Sequence, residues 1–174
     1  MPTEHYLQTG LLLLVSCAAV NDLATRRIPN RLLLAGLAGA ALLHLLSATP
    51  GASLLAAGAG MALGFALFLP FYLLRGMAAG DVKLMAVVGA FTGAAEAFEI
   101  AVLAWCAGGV MALLVVLARR RLGLVLRNLM NMVRTAMTPG IAMVVPEGQA
   151  SAGSLPYGVA IAAGTILALV RDYG

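Results

Sequence analysis

Two aspartates carry the chemistry this sequence can do: Asp22, in NDLATRRIPN, and Asp81, in AAGDVKLM. Asp22 falls at the end of an apolar run and Asp81 at the start of one. Ionisable groups at or inside a bilayer are costly, and they usually mark a pathway, a relay or a catalytic site. Two carboxylates brought together cannot both ionise cheaply, so one keeps a proton near neutral pH and the pair offers a base and an acid in one site. The base then activates water against a peptide carbonyl while the acid protonates the carbonyl oxygen. Singly, each residue also has a structural explanation. Asp22 can cap a helix or pair with Arg26, and Asp81 can settle at the amino end of a helix, where free N–H groups and the dipole favour a carboxylate. Their common membrane depth, at positions far apart in sequence, favours the pair and an aspartyl peptidase embedded in a membrane.

Composition sets the solvent for these groups. Of 174 residues 62% are hydrophobic and only 10% charged, and the mean hydropathy is +0.99, beyond the range of an ordinary soluble domain. The expected fold is an all-α polytopic membrane bundle of about six transmembrane helices, a single domain over residues 1–174 with the lipid bilayer as its partner. The net charge of +4 does not read as a nucleic-acid footprint, because the positive residues are few and confined to gaps between apolar stretches. They read as topology signals.

The apolar runs predict helices over about residues 6–20, 32–46, 54–74, 81–95, 100–118 and 155–170. Pro29 breaks the chain after the first, Thr49 to Gly51 supply a turn before the third, and Gly76 to Gly80 make a flexible turn before the fourth. Glu96 and Glu99 are expected in an outer turn between the fourth and fifth. No positively charged leader precedes the first run, which is therefore expected to stay as a transmembrane helix. Residues 119–154 are expected as an interfacial helix and loop. Between 121 and 137, Leu122, Val125, Leu126, Leu129, Met130 and Val133 recur at helical spacing against Arg127, Asn131 and Arg134, which predicts an amphipathic helix on the cytoplasmic membrane face or, in a sharper version, a substrate-docking helix.

Ten of the eleven lysines and arginines then fall on one side, and only Arg171 on the other. That bias places the amino terminus outside and both Asp22 and Asp81 at cytoplasmic helix ends.

NDLATRRIPNRL, AAGDVKLM and LPYGVAIAAG resemble three landmarks of the type IV prepilin peptidases, and the likeness covers nearly the whole chain. In that family an aspartate shortly before an Ile-Pro-Asn turn and a second in a G-x-G-D motif form the catalytic dyad, roles that the resemblance carries to Asp22 and Asp81. The first motif glycine is Ala78 here, which implies a stiffer turn before Gly80. Larger members carry a cytoplasmic methyltransferase domain with a cysteine tetrad, and nothing in this sequence matches it. The likeness is therefore to the short, peptidase-only form of tight-adherence pilus systems. It implies a bacterial inner-membrane enzyme that cleaves small Flp-like prepilins and pseudopilins after a glycine at the cytoplasmic face.

Supporting roles are expected around the dyad. Lys83 can hold the substrate backbone or tune the carboxylates, or act as a topology charge. Pro29 and Asn30 are expected to shape the turn that positions Asp22, and Pro156 to Gly158 the start of the last helix. His44, alone in its run, reads as a packed histidine, and neither a metal nor any other cofactor is expected. Cys17 and Cys106 read as small hydrophobes. The small residues of GASLLAAGAGMALG are expected to let helices pack closely. Two other functions fit membrane aspartates: a proton- or cation-coupled transporter, although no inverted repeat is evident and such sites lie near the midplane, and an inactive scaffold of pilus assembly. The oligomeric state is not legible.

Overall fold

The computed structural model describes residues 2–74, 76–118 and 156–173, all of which fold as α-helices and their connections. The helices are α1 (Pro2–Thr25), α2 (Asn30–Leu45), α3 (Pro50–Leu73), α4 (Ala79–Thr92), α5 (Ala94–Ala118) and α6 (Tyr157–Tyr173). The expected amphipathic helix at 121–137 and the loop after it lie outside the described residues. The chain divides into two compact units, Met1–Gly108 with Pro156–Gly174, and Gly109–Leu155. The first is the bundle considered below. Of the second, the described part is the end of α5.

Among the described residues three helices are long and apolar enough to cross a membrane, Thr3–Thr25, Pro50–Leu73 and Ala94–Ala118, while α2 and α6 are apolar but shorter. Large hydrophobic side chains such as Leu34, Leu55 and Leu73 face outward. That is the surface a helix bundle presents to lipid. Polar side chains within the helices fold back on the preceding turn. Thr9 Oγ1 donates to the His5 carbonyl at 2.7 Å, Asn21 Nδ2 to Cys17 at 2.8 Å and Thr165 Oγ1 to Ile161 at 2.8 Å, so their polarity is met locally.

At the centre stands α4, whose residues from Asp81 to Phe91 are buried except for Lys83. Its partner is α3, where Gly60 and Gly64 are spaced as a small-xxx-small pair. A Cβ on Gly60 would overlap the Gly89 carbonyl oxygen, and one on Gly64 the Met85 carbonyl oxygen. Backbone therefore lies on backbone, and the small-residue stretch packs as its composition implies. Gly164 of α6 is as tight on α5, where a Cβ would come within 2.7 Å of the Ala104 nitrogen.

Helix α1 extends beyond the expected 6–20 at both ends, to Pro2 and Thr25, and two expected turns lie inside helices. Pro50 and Gly51 are the first turn of α3, because proline is at home where the helix has no N–H acceptor to supply. Glu96 and Glu99 lie within α5, and the turn before it is Gly93 alone. With φ of +80° and ψ of 177°, Gly93 takes a conformation that side chains rarely adopt, and so reverses the chain in one residue. The Gly93 N–H still bonds the Gly89 carbonyl at 2.9 Å, and its carbonyl accepts from Ala97 at 3.1 Å. Glu99 instead joins Arg171 in a two-pronged ion pair at 2.6 Å, linking α5 to the carboxyl end of α6.

His44 is a packed histidine. It is buried on α2, with Nε2 2.9 Å from the carbonyl oxygen of Ala90. Ala90 lies in the last turn of α4, where carbonyls have no intrahelical donor. Cys17 and Cys106 are free thiols on exposed positions.

Candidate active site

Asp22 lies one turn before the end of α1. After Thr25 the chain turns at Arg26, whose φ of 55° is left-handed, and the Arg26 N–H closes on the Asp22 carbonyl at 2.9 Å. The side chain of Asp22 leaves α1 altogether. Its Oδ2 accepts a buried hydrogen bond of 2.8 Å from the backbone N–H of Gly158, the second residue of α6. A carboxylate at a helix amino end meets both a free donor and the positive end of the dipole. Asp22 does cap a helix, one that begins 135 residues further along the chain.

Asp81 is the third residue of α4 and reaches back in the same manner. Its Oδ2 accepts from the N–H of Ala78 at 3.2 Å, and its own N–H donates to the Ala78 carbonyl at 3.1 Å. This is one half of a capping box, the other half being impossible because alanine offers no side-chain acceptor. Both aspartates are nearly sealed from outside, Asp22 at 6% exposure and Asp81 at 5%. Their charges lie within electrostatic reach of each other, and α1, α4 and α6 pack against one another here. The structure thus brings together the two carboxylates that stood out in the sequence.

Ala78 takes φ of −81° and ψ of 152°, extended backbone open to any residue. The missing motif glycine is therefore not demanded by the turn. Gly80 faces Ile28, and a Cβ there would touch the Ile28 side chain at an ordinary 3.4 Å. Pro29 precedes α2, and its carbonyl accepts from Leu32 and Leu33 at 3.1 and 3.3 Å. Asn30 follows, and its Oδ1 accepts from Lys83 Nζ at 3.2 Å. The segment from Ile28 to Asn30 therefore bridges the end of α1 to the first turns of α4, with Ile28 over Gly80 and Asn30 tied to Lys83.

Sequence reasoning gave Pro156 to Gly158 only a shaping role. In the structure Gly158 touches Asp22 directly: a Cβ on it would lie 3.0 Å from Oδ2 and 3.1 Å from the Asp22 Cβ. The signal was present as a proline-led start of an apolar run, which marks a helix amino end. What it could not reveal was which side chain would fill that end. Among the described residues no three His, Cys, Asp or Glu side chains converge as a metal site would require.

A helical membrane bundle with two buried, interacting carboxylates at helix ends defines a class of intramembrane protein in which acid–base chemistry can be done. The model of the type IV leader peptidase family matches residues 9–113, which include both aspartates. The chain belongs to that family, and its general activity is that of a type IV prepilin leader peptidase. No curated protein and no solved structure matches the chain.

Proposed function

We propose that the chain is an aspartyl endopeptidase whose catalytic pair is Asp22 and Asp81. The observation that carries this reading is the burial of two carboxylates on helices that pack together, with the charge of Asp22 reaching Asp81, in a peptidase family. One carboxylate takes a proton from water as the water oxygen attacks the scissile carbonyl carbon. The other, holding the shared proton, gives it to the carbonyl oxygen. Collapse of the tetrahedral species then breaks the C–N bond, and the amine leaves with a proton returned by the pair.

The substrates we assign are small Flp-like prepilins and pseudopilins, cut after a glycine at the cytoplasmic face of the inner membrane. The sequence motifs support this assignment, and the bias of Lys and Arg to one side supports the orientation, with the amino terminus outside. Gly80, Pro29, Asn30 and Lys83 serve as supporting residues, holding the α1–α2 connection against α4.

The test is cleavage of a co-expressed Flp-type prepilin by wild type, Asp22→Asn and Asp81→Asn, with membrane insertion of each checked. Loss of cleavage in both inserted variants is expected. Retained cleavage in both would refute the aspartyl mechanism, and a wild type that cuts no prepilin would favour proton- or cation-coupled transport or an inactive scaffold of pilus assembly instead.

A further inference from the structure

A third polar side chain stands at the same place. Tyr157 opens α6, immediately before the glycine whose N–H holds Asp22. Its hydroxyl lies within electrostatic reach of Asp81. The phenol is therefore next in sequence to the donor that holds one carboxylate and within reach of the other's charge.

Its position is narrowly defined. The ring end rests on bare backbone of α5 at Gly108, where an added Cβ would come within 2.6 Å of the hydroxyl oxygen and 2.7 Å of Cε2 and Cζ. Phe68 of α3, fully buried, meets the ring edge-on at a centroid distance of 6.2 Å and itself stacks on Trp105 at 6.0 Å. Edge-to-face packing of this kind fixes ring orientation as well as burying area. Residues of α3 and α5 thus hold the Tyr157 ring of α6 in place, and Tyr157 as a whole is only partly buried.

We propose that the Tyr157 hydroxyl is a catalytic hydrogen-bond donor to the carbonyl oxygen of the scissile peptide. This rests on the aspartyl reading above. In the attack step the water oxygen bonds to the carbonyl carbon, one carboxylate accepts the water proton, and the carboxylic acid gives its proton to the carbonyl oxygen. Tyr157 keeps its own proton and contributes a hydrogen bond that strengthens as charge builds on that oxygen. A donor that strengthens only in the transition state raises kcat and leaves substrate affinity unchanged.

The experiment uses the full chain purified in detergent, with a Flp-type prepilin as substrate and rates expressed per folded molecule. Tyr157→Phe keeps the ring, its edge contact with Phe68 and its seat at Gly108. The expected result is a kcat lowered by about 10²-fold, the usual loss for one such donor, with KM within about twofold and the melting temperature unchanged. Gly108→Ala, which keeps the hydroxyl but displaces it, is expected to lower kcat in the same direction. Unchanged kcat in Tyr157→Phe overturns the proposal, as does a raised KM at constant kcat, which would make the hydroxyl a ground-state binding group. Asp22→Asn and Asp81→Asn run alongside. If they are inactive while Tyr157→Phe is fully active, the dyad stands and this inference fails; if they cleave, the aspartyl reading falls and takes the inference with it.

Discussion

Gly158→Ala separates positioning from folding more cleanly than removal of either aspartate. The added Cβ would stand 3.0 Å from Asp22 Oδ2, 3.1 Å from its Cβ and 3.3 Å from its Cγ. Ordinary contact begins near 3.4 Å, so the carboxyl group must retreat by a few tenths of an ångström. It can do so only by lengthening the 2.8 Å bond to the Gly158 N–H. A hydrogen bond to a charged group contributes about 1.5–3 kcal/mol when whole, and weakening it forfeits part of that. Against this, alanine is preferred over glycine in a helix by up to about 1 kcal/mol. Net stability should therefore change by less than about 1 kcal/mol. Catalysis is less forgiving, since misplacing a reacting group by 1 Å can cost about 10² in rate, and a loss of about tenfold or more in prepilin cleavage is expected. Cleavage rate per folded enzyme and thermal unfolding in detergent are the two readouts. Gly39→Ala on α2, where an added Cβ meets nothing within 4 Å, is the control and should lose neither. Cleavage by Gly158→Ala at the wild-type rate would refute the argument that the α6 amino end sets the position of Asp22.

Gly60→Ala drives a methyl group into the backbone of α4 at Gly89 and of the turn at Gly93, and should destabilise by about 3 kcal/mol or more because no side chain can yield; Gly58→Ala, facing open space, should not lower the melting temperature. His44→Ala withdraws the partner of the Ala90 carbonyl and should cost about 1–3 kcal/mol in unfolding measurements, with larger effects on stability than on cleavage. Gly80→Ala, which gains only an ordinary contact with Ile28, should melt at or slightly above the wild-type temperature; a fall of several degrees would contradict the packing described. Arg171→Ala opens an ion pair whose arginine is 68% exposed, and should change stability by less than about 1 kcal/mol.

The helix content was legible because a membrane chain announces its spans through long apolar runs. Boundaries went astray where a local rule was read as a break. Pro50 starts a helix as well as it ends one, and Glu96 and Glu99 looked like a polar turn although a single glycine at position 93 suffices to reverse the chain. At the site, Asp22 and Asp81 stood out because an acid beside an apolar run demands a reason. Gly158 did not, because the property that matters there is a backbone N–H, which every residue but proline carries. Its meeting with Asp22 is a contact across 136 positions, and no periodicity in the sequence encodes it. Tyr157, like its neighbours Pro156 and Gly158, was read only as shaping the start of the last helix, because the sequence does not say which side chains that helix start will face.

The way the two carboxylates are held follows from the medium. In a bundle surrounded by hydrocarbon, burying a lysine or arginine against each aspartate would bury more charge, at a desolvation cost that pairing often fails to recover; the cation within reach of Asp22, Arg26, stays exposed. Helix amino ends offer an alternative already paid for by the fold, because their first N–H groups lack partners and need an acceptor. Asp22 takes one such group from α6, and Asp81 takes the N–H of the residue preceding α4. Among the described residues each accepts from one backbone donor, which leaves acceptor capacity on the carboxyl group for water or a peptide. At 14 residues and about 1.5 Å per residue, α4 is roughly 21 Å long, short of the ~30 Å hydrocarbon core. A helix so short need not meet lipid at either end because α1, α2, α3 and α6 surround it. Its first turn, with Asp81, can then lie within protein, where a carboxylate can be kept out of hydrocarbon without being opened to bulk water.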